Sequence, residues 1–207
     1  MVKKSILAFT KTLNRPVFTT REAAALYGSS LSNVSKMLGS LEKKGLVFRI
    51  TRGIWAETGA RDLSPYTVIP LLFPKNRAYV SFISALHLHG IIEQIPQEIN
   101  LASTVHTQKI KTKIGTFSVH QIASLLFDGF DWYKERQRFL IAEPEKALID
   151  CLYLSTRKKK QFGFFPELDF PQDFSFKKAE EWAGKIPEQK IRSSVKKKLA
   201  DIANKKC

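Results

Sequence analysis

The sequence predicts an α+β fold, in which an N-terminal winged helix-turn-helix is followed by a mixed α/β domain with a helical basic tail. Three observations lead to this prediction. Two helical patterns flank a glycine at position 28, alternating apolar residues follow at 46–56, and helix and strand patterns are mixed from residue 64 onward. A short turn between two helices is typical of a helix-turn-helix, and a hairpin directly after it is typical of the winged form.

The first two helices have clear start and stop signals. Residues 2–13 form the first predicted helix, which Pro16 ends because proline interrupts the helical hydrogen bonds. A second helix follows Thr19, which has the spacing of a capping box with Glu22, so that each residue satisfies the other's free amide. Gly28 then stands where helices commonly end in a left-handed conformation.

The third predicted helix, residues 29–45, begins at a cap supplied by Ser29 or Ser30. Its apolar residues recur at spacings of three and four, which indicates one buried face. This expected buried face consists of Leu31, Val34, Leu38 and Leu41. The alternating stretch after the helix, with a turn at 51–53, predicts the basic hairpin that forms the wing.

The opposite face of the third helix carries the side chains expected to contact DNA. The N-terminal part of such a helix lies in the major groove. The candidates for base contacts are Ser32, Asn33 and Lys36, with Asn33 suited to adenine and Lys36 to guanine, and Ser30 is a further candidate for contact with DNA. The candidates for phosphate contacts are Lys43, Lys44, Arg49 and Arg52, and Arg52 at the tip of the hairpin has a minor-groove contact as its alternative. Three alternatives stay open: simple capping by Ser30, a small helical bundle, and a winged helix that binds proteins.

The charge distribution also favours a polyanionic partner. The formal net charge is +15, divided as +7 over residues 1–58, +2 over 59–176 and +6 over 177–207. A surface that is basic only for solubility would not concentrate its charge at the two ends. A cationic tail without a specific partner is the alternative.

Composition argues against a membrane or secreted protein. The chain has no run of 18 or more apolar residues and no signal-peptide pattern at its N-terminus. Its two cysteines, Cys151 and Cys207, do not form a disulfide framework. We therefore expect a cytoplasmic protein without a membrane partner.

A polar stretch after residue 58 predicts the boundary between a DNA-binding domain, residues 1–58, and a second domain, residues 64–207. In the second domain we expect helices at 64–73, 81–90 and 143–155, strands at 98–104 and 138–142, a hairpin at 107–122, and two helices in the tail. Further nucleic-acid contacts could come from basic side chains of this domain. These are Lys109, Lys111, Lys113, Arg157, Lys158, Lys159 and Lys160, for which the alternative is a solvated surface.

The sequence contains no convincing catalytic or metal-binding constellation. Glu143, Glu145 and Asp150 resemble magnesium ligands, but the pattern is incomplete, and Lys146 with Asp150 is explained by a surface ion pair at i,i+4 spacing. The chain has no zinc spacing, phosphate-binding glycine loop or nucleophile elbow. We predict a protein that is not an enzyme and needs no cofactor.

Four ordered segments resemble the AbiEi-type antitoxins of bacterial type IV toxin–antitoxin and abortive-infection systems. They are "RGIW" at 52–55, "YVSFISALHLHG" at 79–90, "IGTFSVHQI" at 114–122 and "AEPEKALIDCLYL" at 142–154. The resemblance implies a winged helix that binds operator repeats in its own promoter and represses its operon. It also implies a second domain that helps repression and counteracts a nucleotidyltransferase toxin, without needing a stable complex with it. The family includes stand-alone regulators of defence genes.

Three functional hypotheses follow. The first is a sequence-specific repressor that is also an antitoxin. The second is a winged-helix transcription factor whose second domain senses a ligand or a protein. The third is a metal-dependent nuclease that uses the carboxylates of residues 143–150.

Overall fold

The computed structural model describes residues 16–133, 139–157 and 161–205. The helix predicted at 2–13, together with Lys158, Lys159, Lys160 and Cys207, lies outside these residues. The chain divides into two compact units, one of Met1–Pro74 with Lys111–Gly115, the other of Lys75–Ile110 with Thr116–Cys207. Helix and sheet occur together, which confirms the α+β class.

The first unit has the strand and helix order of a winged helix-turn-helix. Its elements are β1 (Val17–Thr19), α1 (Thr20–Tyr27), α2 (Leu31–Lys43), β2 (Val47–Thr51) and β3 (Ile54–Glu57). The strands form an antiparallel sheet in the order β1-β3-β2. Helices α1 and α2 and the β2–β3 hairpin agree with the sequence prediction, whereas the short strand β1 was not predicted.

The helix ends of the first unit form as local sequence predicts. The hydroxyl of Thr19 accepts a hydrogen bond from the backbone N–H of Glu22 at 3.1 Å, and the Glu22 carboxylate accepts one from the Thr19 N–H at 2.7 Å. Gly28 ends α1 at a φ of 58°, a left-handed conformation that glycine adopts without steric penalty. Ser30 supplies the cap of α2. The turn between the two helices is therefore fixed by contacts close in sequence.

The sheet of the first unit is covered on both faces. The helix-side cluster contains Phe18, Val34, Leu38, Val47 and Trp55 among its buried residues. The other cluster contains Val17, Ile50, Ile54, Ala56 and Val68, with Ile114 packed against it. Since Val68 and Ile114 complete this second cluster, the compact unit continues past the polar stretch after residue 58 to Pro74, and it takes in residues 111–115.

The segment that contains Val68 is helical, as predicted. The Ser64 side chain caps a 3₁₀ turn at Pro65–Val68 by accepting a hydrogen bond from the Tyr66 N–H, and the chain continues as α3 (Ile69–Leu72). Proline at the first position removes a donor that would have no partner there.

A six-stranded mixed sheet, in the order β6-β7-β5-β4-β9-β8, belongs mostly to the second unit. Its strands are β4 (Ala78–Val80), β5 (Ile99–Ser103), β6 (Gln108–Thr112), β7 (Gly115–Gln121), β8 (Phe130–Trp132) and β9 (Leu140–Ala142). Strand β5 and the β6–β7 hairpin were predicted, as was β9. The three-residue strands β4 and β8 were not predicted.

The described residues of the second unit also form four helices: α4 (Phe82–Leu88), α5 (Pro144–Ser155), α6 (Phe176–Gly184) and α7 (Gln189–Lys205). Helix α5 is buried on all sides from Glu145 to Ser155, rather than on the one apolar face that its pattern suggests. The two tail helices α6 and α7 form as predicted, and α7 buries Val195 and Leu199.

Candidate nucleic-acid interface

Helix α2 presents one polar and one apolar side because of its packing in the first unit. Val34 and Leu38 are buried against Phe18 and Trp55. The residues on the opposite side, Ser32, Asn33 and Lys36, are exposed. The helix therefore offers short polar groups and a lysine to solvent near its N-terminal end, the part that enters the major groove in proteins of this fold.

Ser30 has a structural role in addition to its predicted contact with DNA. Its hydroxyl oxygen accepts a hydrogen bond from the backbone N–H of Asn33 at 3.3 Å, which caps the helix. The side chain of Asn33 is exposed while its backbone is fixed by this bond. The cap holds the start of the helix in place, which favours a defined approach of Asn33 to a base edge.

Leu31 differs from the sequence prediction. We expected it on the buried face with Val34, yet 52% of its surface is exposed. The spacing of the apolar residues indicates only the side of the helix on which a side chain lies. Among the described residues, the buried cluster on that side of α2 does not include Leu31, the first residue of the helix. An apolar side chain thus stands among the exposed polar residues at this helix end.

The C-terminal end of α2 and the first wing strand are joined by Glu42. Its carboxylate accepts a hydrogen bond from the backbone N–H of Arg49 at 3.0 Å and contacts the Lys113 amine at 3.2 Å. The hydrogen bond from the Arg49 N–H is the largest influence on Glu42 and lowers its pKa. Partial burial raises the pKa by less than this, and Lys113 lowers it further. Glu42 therefore keeps its negative charge, while the neighbouring Lys43 and Lys44 are exposed.

The wing is a tight hairpin fixed to the start of α1. The backbone N–H of Thr20 donates to the Gly53 carbonyl at 2.9 Å, and the indole N–H of Trp55 donates to the Thr20 hydroxyl at 2.9 Å. Arg52 is exposed at the turn, and the exposed Arg49 guanidinium lies over the Trp55 ring at 5.9 Å. The wing thus carries two exposed arginines on a backbone held at its tip.

The remaining predicted basic contacts have different surroundings. Lys109 forms an ion pair with Glu98, and Lys113 with Glu42, so both charges are partly neutralised. Lys111 is exposed between them in sequence. Arg157 is exposed, with its guanidinium 4.8 Å from the Tyr153 ring centre and bonded to the Tyr153 hydroxyl at 2.7 Å.

The carboxylates that resemble metal ligands in the sequence have other partners. The expectation of a surface ion pair between Lys146 and Asp150 is wrong, because both residues are buried, 0% and 1% exposed. Asp150 also accepts hydrogen bonds from the hydroxyls of Tyr79 at 3.0 Å and Ser81 at 2.7 Å. Buried charges occur when they are paired and hydrogen-bonded, as here, so this network is part of the core.

The other acidic residues of this cluster also have cationic partners. Glu143 and Glu145 both pair with Lys178, and the Glu145 carboxylate accepts a hydrogen bond from the Ser175 N–H at 3.0 Å. Hydrogen bonding to Glu143 is the largest cause of a raised pKa for Lys178. Among the described residues, no three acidic, histidine or cysteine side chains converge as metal ligands would.

The histidines have separate structural contacts. His87 and His89 each lie against a backbone carbonyl, of Ile92 and Ala142 respectively. His120 is buried, with Nε2 3.0 Å from the Asn100 side-chain oxygen, and within the described part of the chain its Nδ1 has no hydrogen-bond partner. Burial lowers the pKa of His120 to about 4, against smaller raising effects of Gln161 and Glu98.

Sequence reasoning missed three residues whose hydrogen bonds hold α2 and the wing of the candidate interface in place, namely Glu42, Trp55 and Thr20. Thr20 directly follows the cap residue Thr19 and Glu42 precedes two lysines, and neither position indicates a distant hydrogen-bond partner. A tryptophan two residues after the Arg-Gly turn was the available signal, because buried indole N–H groups usually find a hydrogen-bond partner.

The fold and this site define a winged helix-turn-helix protein. Residues 13–58 match the family model described as "Transcriptional regulator, AbiEi antitoxin". The match confirms the resemblance to AbiEi-type antitoxins over these residues of the first unit. No curated protein matches the chain. Throughout the described ranges, every helix is too short or too polar to cross a bilayer.

Proposed function

We propose that this protein is a sequence-specific DNA-binding repressor that regulates its own operon and acts as the antitoxin of a type IV toxin–antitoxin system. The observation that carries the proposal is the exposed polar start of α2, with Ser32, Asn33 and Lys36 on the side opposite buried Val34 and Leu38. Hydrogen-bonding groups at this position suit direct readout of bases in the major groove.

The cations around α2 support a phosphate-binding role. Four exposed side chains lie at its C-terminal end and on the wing: Lys43, Lys44, Arg49 and Arg52. Such contacts position a protein on the duplex without reading sequence. Specificity is then assigned to the start of α2, and affinity and salt dependence to the four cations.

The test is binding of the full chain to DNA from upstream of its own gene, titrated against salt and against scrambled competitor DNA. Binding that leaves a defined footprint and survives competitor supports the repressor. Binding that unlabelled upstream DNA and scrambled DNA compete away equally contradicts the repressor and favours a winged helix that binds proteins.

The antitoxin part of the proposal involves a functional partner, a nucleotidyltransferase toxin. In the second unit, Phe164 is 98% exposed and lines a groove with Phe162, Ile95 and Pro166. Exposed apolar patches of this kind suit protein partners. Co-expression with a toxin encoded beside the gene tests the proposal, and rescue of growth by the full chain but not by an unrelated winged helix supports it.

We further propose that the protein acts without catalysis or a metal. The carboxylates of the only cluster that resembled a magnesium site in the sequence have cationic partners in Lys146 and Lys178. Cleavage of DNA or RNA that requires magnesium and disappears in Glu145→Ala would overturn this part of the proposal.

A transcription factor that senses a ligand is the second candidate, because the second unit contains a groove of about 650 Å³. Its lining combines charged side chains of both signs with neutral polar ones, among them Arg157, Lys190, Glu188, Gln121 and Gln161. This volume lies in the range of small-molecule sites. Regulated DNA binding with no rescue from any neighbouring toxin would favour this candidate.

A further inference from the structure

Leu31 is an apolar residue at the point where α2 should meet DNA. It is the first residue of the helix, it follows the Ser30 cap, and 52% of its surface is exposed. The next apolar residues of the same helix, Val34 and Leu38, are 2% and 0% exposed. Leu31 therefore does not take part in the core that its spacing predicts.

The position of Leu31 limits what it can contact in a complex. Cα–Cβ bonds tilt toward the N-terminus of a helix, so a side chain on the first residue extends beyond the helix end. Residues at this end of a recognition helix meet base edges. Among the groups that a base pair presents in the major groove, the C5 methyl of thymine is the apolar one.

We propose that Leu31 reads a thymine methyl group and is a specificity-determining residue of this protein. The inference rests on the proposed binding to an operator and names one element of its sequence. Ser32, its exposed neighbour, and Asn33 supply hydrogen bonds, whereas Leu31 supplies the apolar contact. Together they predict a site in which a thymine lies beside the base pair read by the polar residues.

The experiment replaces single thymines by uracil, which removes only the methyl group. The preferred duplex is first selected from a random library with the full chain, and each thymine in it is then changed to uracil in turn. Because the burial of one methyl group is removed, binding at the contacted thymine should weaken about fourfold. Thymines outside the contact should show no change.

The Leu31→Ala variant identifies the reader. The variant should bind the thymine duplex more weakly than the wild type does. It should bind the thymine and uracil duplexes with equal affinity, so that its sensitivity to the methyl group disappears. Ser35→Ala is the matched control at another exposed residue of α2, outside the proposed contacts, and it should keep the fourfold sensitivity. Because Leu31 is exposed, its truncation should leave the unfolding midpoint unchanged.

Three results separate the possible failures. If no thymine is sensitive, or if Leu31→Ala keeps the full sensitivity, Leu31 does not read a methyl group although the protein binds a specific site. If Leu31→Ala changes the oligomeric state in solution, the leucine lies in a contact between copies of the chain and the inference is wrong. If the library yields no preferred sequence at all, the proposed function fails instead.

Discussion

The carboxylate of Glu42 on helix α2 accepts a hydrogen bond from the backbone N–H of Arg49 on wing strand β2, at 3.0 Å. This bond joins the element expected to read bases to the element expected to hold phosphates. Since Arg49 and Lys113 keep the pKa of Glu42 below its ordinary value of 4.5, the bond also makes stability dependent on pH.

Glu42→Gln should lower the stability of the protein slightly at neutral pH, because glutamine can still accept the Arg49 N–H but has no charge to attract Lys113. A carboxyl group whose pKa is lower in the folded than in the unfolded protein stabilises the fold at pH values above the unfolded pKa. This stabilisation disappears as pH falls through the folded pKa. The difference in urea midpoint between wild type and variant should therefore be present at pH 7 and vanish in strong acid. Glu93→Gln, at an exposed residue of the second unit, is the control.

Asn33→Ala should relax the preference for one base pair and weaken binding to the preferred site by roughly 1–3 kcal/mol. The reason is the removal of a side chain that can bond twice to adenine. Competition with all single base-pair variants of the selected duplex measures the effect. An unchanged preference at every position would show that Asn33 is not a base-reading residue.

Arg52→Ala should reduce affinity about equally for all DNA sequences, because a phosphate contact carries no sequence information. The slope of log affinity against log salt should become shallower by about 0.9, since the variant neutralises one phosphate fewer. Binding titrations at several salt concentrations provide the slope. Lys75→Ala removes an exposed cation outside the proposed interface, and it should leave the slope unchanged.

Removing one member of the buried pair Lys146 and Asp150 should destabilise the protein strongly. Asp150→Asn leaves the Lys146 charge in the core without its counter-charge, which is expected to lower the free energy of unfolding by about 3–5 kcal/mol. The double variant Lys146→Met with Asp150→Leu should lose less unfolding free energy than the sum of the losses in Lys146→Met and Asp150→Leu alone. Urea unfolding of the single and double variants measures this coupling, and additive losses would contradict it.

His120 should make the protein less stable in mild acid. The folded pKa of His120 is about 4, below the ordinary value of 6.5. The neutral imidazole therefore contributes its full stabilisation of the fold above pH 6.5, and this stabilisation is lost as pH falls toward 4. The total is on the order of 3 kcal/mol from the size of this shift. The wild type should lose more stability than His120→Gln between pH 7 and 4.5, and parallel curves would contradict the assignment.

Features fixed by neighbours in sequence were predictable in the first unit. The Thr19–Glu22 capping box, the left-handed Gly28 and the Ser30 cap each depend on residues close along the chain. The wing hairpin was predictable because its two strands are adjacent in sequence. These interactions form with little loop closure, so local sequence determines them.

Features fixed by distant packing were not predictable. The strand β1 exists because Phe18 pairs with Trp55, which is far away in sequence. Periodicity placed Leu31 and Asp150 on helix faces, but whether a face is covered depends on elements that the pattern does not contain. The exposure of Leu31 and the burial of Asp150 are both reversals of this kind.

The first unit uses two stretches of chain, and this has a practical consequence for dissecting the protein. A fragment that stops at Pro74 keeps the side chains of α2 and the wing that are proposed to touch DNA. It lacks the Lys113 N–H that donates to the Ile50 carbonyl at 3.1 Å, and it lacks the Ile114 side chain. Strand β2, an outer strand of its sheet, would then expose hydrogen-bonding groups that invite pairing with other chains. Aggregation of such a fragment would reflect a missing edge cover and not a failure to recognise DNA.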